Sequence, residues 1–223
     1  MSHKVGLPES IWNTAKKLGF LVVAITLAFL VATASLSSAA FAQQTQSSYN
    51  YGYFVNAHTA GFADADMYIV NPGSTGGTSP SGDLCANIYV FNPAQQMVEC
   101  CSCKVTPDSL TTFSVNTNVT DNPFTAATVH TGAIKIVSSA VPASGSCNNV
   151  GSTSYAPSGY LGTWITHVHV ASGTYSKSET GFLPGALSVN AAASGTELPQ
   201  LQKICGFIET SGTGFGICTC PSE

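Results

Sequence analysis

Asp83 to Cys103 reads DLCANIYVFNPAQQMVECCSC, two apolar runs around an Asn92-Pro93 turn signal. The stretch holds half of the chain's eight cysteines; Cys147, Cys205, Cys218 and Cys220 all lie downstream. This pattern predicts a β-hairpin to which later parts of the chain are stapled. A four-residue turn at Asn92 to Gln95 pairs Phe91 with Gln96 and sets Cys85 opposite Ser102. Cys101 and Cys103 are then the nearest neighbours of Cys85, and a one-residue register change would let either close a disulfide with it. Cys100 and Cys101 point to opposite faces of a strand and require different partners.

Working outward, the N-terminus carries the features of a secretory signal. Lys4, Lys16 and Lys17 precede the apolar run Leu18 to Ala34, and Ala40-Phe41-Ala42 offers a small-residue cleavage site. The reading is a signal peptide over 1–42 and a single domain over 43–223 with no membrane span. An even cysteine count in an exported chain is a disulfide framework, so Cys85, Cys100, Cys101, Cys103, Cys147, Cys205, Cys218 and Cys220 are all assigned to disulfides. A thiolate metal cluster is the alternative, but the chain lacks paired Cys-x-x-Cys knuckles.

Residues 43–223 hold four lysines against ten acids, 4 − 10 = −6, and the chain has no arginine. A duplex-binding surface needs several cations to displace phosphate counterions, so nucleic acid is excluded as a partner and anionic membrane surfaces are disfavoured. A surface built from Ser, Thr, Gly, Asn and Gln sets up little electrostatic repulsion against self-association.

Along the chain, 43–48 is a polar, mobile arm. Tyr49, Tyr51, Tyr53 and Val55 then alternate with Asn50, Gly52 and Phe54. This is either an edge strand or an aromatic arm that adds to the sheet of a neighbouring molecule. Met67 to Val70 and Ile88 to Phe91 are strands that stop at Asn-Pro. Leu110 to Asn116, Thr131 to Ser138, Thr163 to Val170 and Tyr175 to Phe182 are further strands, the last two paired. Ala143 to Tyr160 is a long loop tethered by Cys147. Leu198, Leu201, Cys205 and Ile208 recur at helical spacing, with Ser194 or Thr196 as cap and Gly212 or Gly214 as terminator. Cys205 on that apolar stripe is expected to bond Cys100, Cys101 or Cys103. Phe215 to Cys220 is a final strand. Many short strands with one helix predict a mainly β, disulfide-stapled antiparallel β-sandwich with one C-terminal helix.

Few residues suggest chemistry. His167 and His169 share one face of a strand, a usable pair of metal ligands, whereas Trp164, Thr166, Val168 and Val170 read as the inward face. Asp64 and Asp66 offer oxygen ligands for calcium, although an acidic pair in a turn is usually solvated. Tyr155, Tyr160 and Trp164 flank a loop and present rings on which a sugar can stack. Asn118-Val-Thr matches a glycosylation sequon. Serine-elbow, phosphate-loop and dinucleotide motifs are absent from the sequence, and no cofactor is indicated.

One ordered set of segments is distinctive: Cys85-Ala-Asn-Ile-Tyr-Val-Phe-Asn92, Glu99-Cys-Cys-Ser-Cys-Lys-Val-Thr-Pro107, Trp164-Ile-Thr-His167, Glu197-Leu with Leu201 and Cys205-Gly-Phe-Ile208, and Gly214-Phe-Gly-Ile-Cys218. It resembles uncharacterised secreted cysteine-rich proteins of acidobacterial-type soil bacteria, over about Asp83 to Cys220. The resemblance implies export and a shared disulfide framework; it implies no activity. The expectation is a non-enzymatic extracellular or cell-surface structural protein, self-assembling through Tyr49, Tyr51 and Tyr53 of its N-terminal strand. The rivals are an extracellular glycan-binding module and a metal-dependent enzyme using His167 and His169.

Overall fold

A computed structural model describes residues 46–147, 155–171, 173–187 and 197–221. The signal peptide expected over 1–42 and the helix caps expected at Ser194 and Thr196 lie outside the described residues. The strands are β1 (Tyr49–Phe54), β2 (Asp66–Val70), β3 (Leu84–Phe91), β4 (Met97–Val105), β5 (Leu110–Ser114), β6 (Gly132–Ala140), β7 (Gly162–Ala171), β8 (Thr174–Gly181) and β9 (Leu183–Pro184). A wide helical turn, Val115–Val119, follows β5, and one α-helix, α1 (Glu197–Thr210), stands near the C-terminus. Five strands in the order β4-β3-β6-β1-β9 form one antiparallel sheet, and β5-β2-β7-β8 form the other. The mainly β sandwich with one helix is the fold expected from the sequence.

Between the sheets, Phe54, Ile88, Val90, Ile134 and Ile136 meet Met67, Ile69, Phe113, Val115 and Ile165. A second apolar cluster lies on the outer face of the five-stranded sheet. There Leu198, Leu201, Cys205 and Ile208 of α1 cover Tyr49, Tyr89, Met97, Cys100 and Val137. A helix of 14 residues is marginal alone. Burying Leu198, Leu201 and Ile208 contributes roughly 5–9 kcal/mol gross, and the Cys100–Cys205 disulfide fastens the helix to β4. After Thr210 the chain leaves the helix through Gly212, at φ 69°.

The central hairpin forms, but its register differs from the expected one. Cys85 stands opposite Lys104 and Asn87 opposite Ser102. Two local devices move the pairing along. Gln95 adopts φ 64° while the Asn92 carboxamide accepts the Gln96 N–H at 3.0 Å, lengthening the turn by one residue. Val98 then bulges, so that Phe91 faces Met97 while Val90 faces Glu99. The total shift of two residues keeps each side chain on its face. It leaves Cys101 and Cys103 in the interior beside Ile88 and Ala86, on the face that Cys85 does not share. Cys85 therefore bonds neither of them and joins Cys147 instead, tethering the long loop as expected. Cys101–Cys218 and Cys103–Cys220 complete the set, and no cysteine is free. The segment expected as a last strand makes one bridge, Cys100 to Ile217, through Cys100 N–H to Gly216 O at 2.9 Å and Cys218 N–H to Cys100 O at 3.2 Å.

β1 is an internal strand. It runs antiparallel to β6 along its whole length and to β9 at Asn50 and Tyr51. Of the arm expected to be mobile, Ser47 and Ser48 are held: the Ser47 hydroxyl donates to Gly185 O at 2.8 Å, and Ser48 O accepts from Ser138 N–H at 2.8 Å. A strand seated in its own sheet is not free to complete a neighbour's.

Candidate functional site

β7 does not alternate as expected: Ile165, Thr166, His167 and Val168 are all buried. β2 sets the phase: Met67 and Ile69, both in the core, stand opposite Ile165 and Thr163. The Ile165–His167 face therefore points inward and the Trp164 face outward. His167 is only 4% exposed, although it was expected on a polar outer face. Its imidazole lies under the Tyr53 ring, centroids 4.5 Å apart at an interplanar angle of 20°. Neither ring nitrogen of His167 has a hydrogen-bond partner among the described residues. Burial, reinforced by the neighbouring His169, lowers its pKa and favours the neutral ring. His169 is exposed, and its Nε2 lies 2.8 Å from the Ser178 hydroxyl. One imidazole of the pair is thus buried and the other solvated, and no group of three His, Cys, Asp or Glu side chains that could hold a metal occurs among the described residues.

The buried histidine lines an apolar slot of about 350 Å³ at the flank where the chain passes from β8 to β9. Tyr51, Gly52, Tyr53 and Leu183 contribute from one sheet, Ile165, His167, Thr180 and Gly181 from the other, and Phe182 from the crossover. Gly52 is required there. A Cβ at this position would sit 2.7 Å from the Phe182 ring, so only glycine lets that ring close the back of the slot.

The other sequence-derived candidates are dispersed. Asp64 accepts from the Ser114 hydroxyl and from Asn116 N–H, and so holds the wide turn. Asp66 pairs with Lys177 at 3.0 Å. Neither is a spare calcium ligand. Asn118 of the sequon accepts Ser114 N–H at 2.8 Å and donates to the Thr219 hydroxyl at 3.3 Å, so its amide is already engaged. The expected sugar-stacking trio does not form one platform. Tyr155 packs against the α1 cluster with its hydroxyl 2.5 Å from that of Tyr89, and burial raises both phenols. Tyr160 is half-buried, with its N–H on the Ser74 hydroxyl. Trp164 instead stacks on Tyr68 of β2, centroids 5.5 Å apart at 23°. Of the tyrosines assigned to assembly, Tyr49 is buried beside α1 and its phenol is pushed up to about 12 by burial, with the Glu197 and Tyr51 charges adding to the effect. Tyr51 and Tyr53 remain exposed.

Sequence reasoning passed over two residues. Glu99 is fully buried; its Oε1 accepts Asn122 N–H at 2.9 Å and its Oε2 has no partner among the described residues. Burial pushes its pKa up to about 8, the Asn122 hydrogen bond opposes this, and Asp121 adds to it. An acid between Val98 and Cys100 was the available signal. Phe182, next to Gly181 at the end of a polar strand, marks the crossover that backs the slot.

Neither a family model nor a curated protein matches the chain. A solved structure, "Crystal Structure of Thermotoga maritima 1070", shares 10% identity with it over 63% of this chain and 97% of that one, and its TM-score of 0.38 is too low to carry an argument.

Proposed function

We propose that this is an exported protein of the cell exterior that works without turnover, as a rigid structural or surface unit. The observation that carries the reading is the use of every cysteine in four disulfides, three of them on β4. Such frameworks persist in oxidising compartments, and they rigidify rather than catalyse. The ionisable groups support the same reading, because Asp64, Asp66, His58 and His130 are each engaged in holding local structure. Donor-strand assembly is set aside, since β1 is paired on both sides within its own sheet. The exposed rings of Tyr51 and Tyr53 are the part of β1 open to a second copy. The test is to express the full gene product in a secreting bacterium, fractionate the culture and compare secreted protein by light scattering and electron microscopy. Disulfide-bonded protein outside the cytoplasm supports the reading; reduced protein retained inside it refutes it.

A second reading, an extracellular glycan-binding module, is favoured by one observation. Trp164 and Tyr68 form a stacked aromatic pair on the outward face of the four-stranded sheet. Aromatic faces are the apolar complement of a pyranose ring, and the half-buried pair is held in place by adjacent strands. Retention of the protein on insoluble polysaccharides, lost in Trp164→Ala, supports this reading; equal retention of both proteins removes it.

A further inference from the structure

We infer that the flank slot is a binding site for a small neutral aromatic molecule bearing one hydroxyl group, with His167 as its hydrogen-bonding partner and Tyr53 as its cover. The inference stands on the slot alone and needs neither functional reading above.

Chemistry selects the ligand class. Ile165, Phe182, Leu183, Tyr51 and Tyr53 make the walls apolar, and among the described residues no Asp, Glu, Lys or Arg lines the slot. A charged ligand would lose its hydration there without compensation, which excludes ions and selects a neutral molecule. The volume of about 350 Å³ lies at the small end of the range for small-molecule sites. Within this lining, His167 is the one buried group whose two polar atoms both go unanswered. A neutral imidazole has one N–H donor and one nitrogen acceptor. A hydroxyl can answer either, whereas a carbonyl or an ether answers only the donor.

Geometry selects a flat ring. The Tyr53–His167 stack at 4.5 Å and 20° shows that the imidazole face takes an aromatic plane. Phe182, pressed against Gly52, supplies a second ring wall. The cover is placed where the sheet is least tied. β9 pairs only with Asn50 and Tyr51, so its ladder ends one residue before Gly52, and Tyr53 is 52% exposed. Swinging that ring outward breaks no strand pairing and uncovers the imidazole.

The experiment uses oxidised full-length protein with p-cresol as probe and toluene as its hydroxyl-free counterpart, followed by NMR of the histidine rings and of Ile165. The expected result is a saturable shift of the His167 and Ile165 signals, with p-cresol binding at least tenfold tighter than toluene and His169 unmoved. In His167→Leu the p-cresol preference should vanish, while in Tyr53→Leu it should persist with faster dissociation. Should His167→Leu fail to fold, the p-cresol to toluene ratio in the unaltered protein decides the matter. No saturable shift up to the solubility limit of p-cresol, or equal affinity for the two probes, overturns the proposal; either result means that the imidazole is answered by water only.

Discussion

Glu99→Gln is expected to remove a loss of stability that the unaltered protein suffers as pH rises. Glu99 is fully buried on β4, and its carboxyl is pushed from an ordinary 4.5 up to about 8. Below pH 4.5 it is protonated in both the folded and the unfolded chain. Between 4.5 and about 8 only the unfolded chain releases the proton, so stability falls as pH rises, by up to about 1.4 kcal/mol per pH unit. Above about 8 both states are ionised and the decline stops. Over the whole interval the loss amounts to about 3–5 kcal/mol, a large share of the roughly 5–15 kcal/mol that stabilises a domain. Glutamine keeps the oxygen that accepts Asn122 N–H and cannot ionise. Urea unfolding of both proteins at pH 5 and pH 9, without reductant, isolates the effect, because other titrating groups cancel in the difference. The variant should match the unaltered protein within about 1 kcal/mol at pH 5 and exceed it by about 3–5 kcal/mol at pH 9. Parallel pH profiles for the two proteins would refute the reasoning.

Removing the Cys100–Cys205 bond by a double Cys→Ser change frees a segment of 105 residues; denaturation should show a loss of about 3–5 kcal/mol, and circular dichroism a loss of helix signal. Gly132→Ala places a Cβ 2.0 Å from the Phe91 carbonyl oxygen and should cost about 3 kcal/mol or more, whereas Gly145→Ala meets no atom within 4 Å and should cost only about 1 kcal/mol for its positive φ; thermal melts of the pair give the comparison. Tyr155→Phe leaves the buried Tyr89 hydroxyl without its partner and should lower stability by about 1–2 kcal/mol, read by urea unfolding. Hydrogen exchange should find the amides of Tyr53 and Phe54 opening at lower free energy than those of Ile88 and Cys101.

Local patterns were legible in the sequence and relations between segments were not. The apolar stripe of Leu198, Leu201, Cys205 and Ile208 names the buried face of a helix whatever it packs on, and a bond from Cys205 to Cys100, Cys101 or Cys103 follows from it, of which the fold uses Cys100. The strands around the Asn-Pro turns were legible for the same reason, because alternation and turn chemistry are short-range. The hairpin register was not. It depends on a positive φ at Gln95 and a bulge at Val98, neither of which a hydrophobic pattern encodes. The phase of β7 failed differently. Trp164, Thr166, Val168 and Val170 look apolar and His167 looks polar, yet the register with Met67 and Ile69 turns the histidine inward. A buried, unpaired imidazole violates the rule that buried polar groups are satisfied, so the pattern misleads at the residue with a functional claim.

The two flanks of the sandwich are held by different means, and this difference locates where the molecule can open. At the β4 flank, Cys101–Cys218 and Cys103–Cys220 tie the C-terminal segment to the edge strand, and backbone hydrogen bonds at Cys100 seal that edge. At the β1–β9 flank no disulfide occurs among the described residues; the joint is the Phe182 crossover, a two-residue strand and the stack of Tyr53 on His167. Disulfides anchor the C-terminal segment along the β4 edge, whereas ring contacts alone cover the other side. Local opening is expected at the Tyr53 side first, without loss of the core between Ile88 and Ile165. At the flank closed by side chains, the β1–β6 and β7–β8 ladders hold the slot's walls in place while its cover moves.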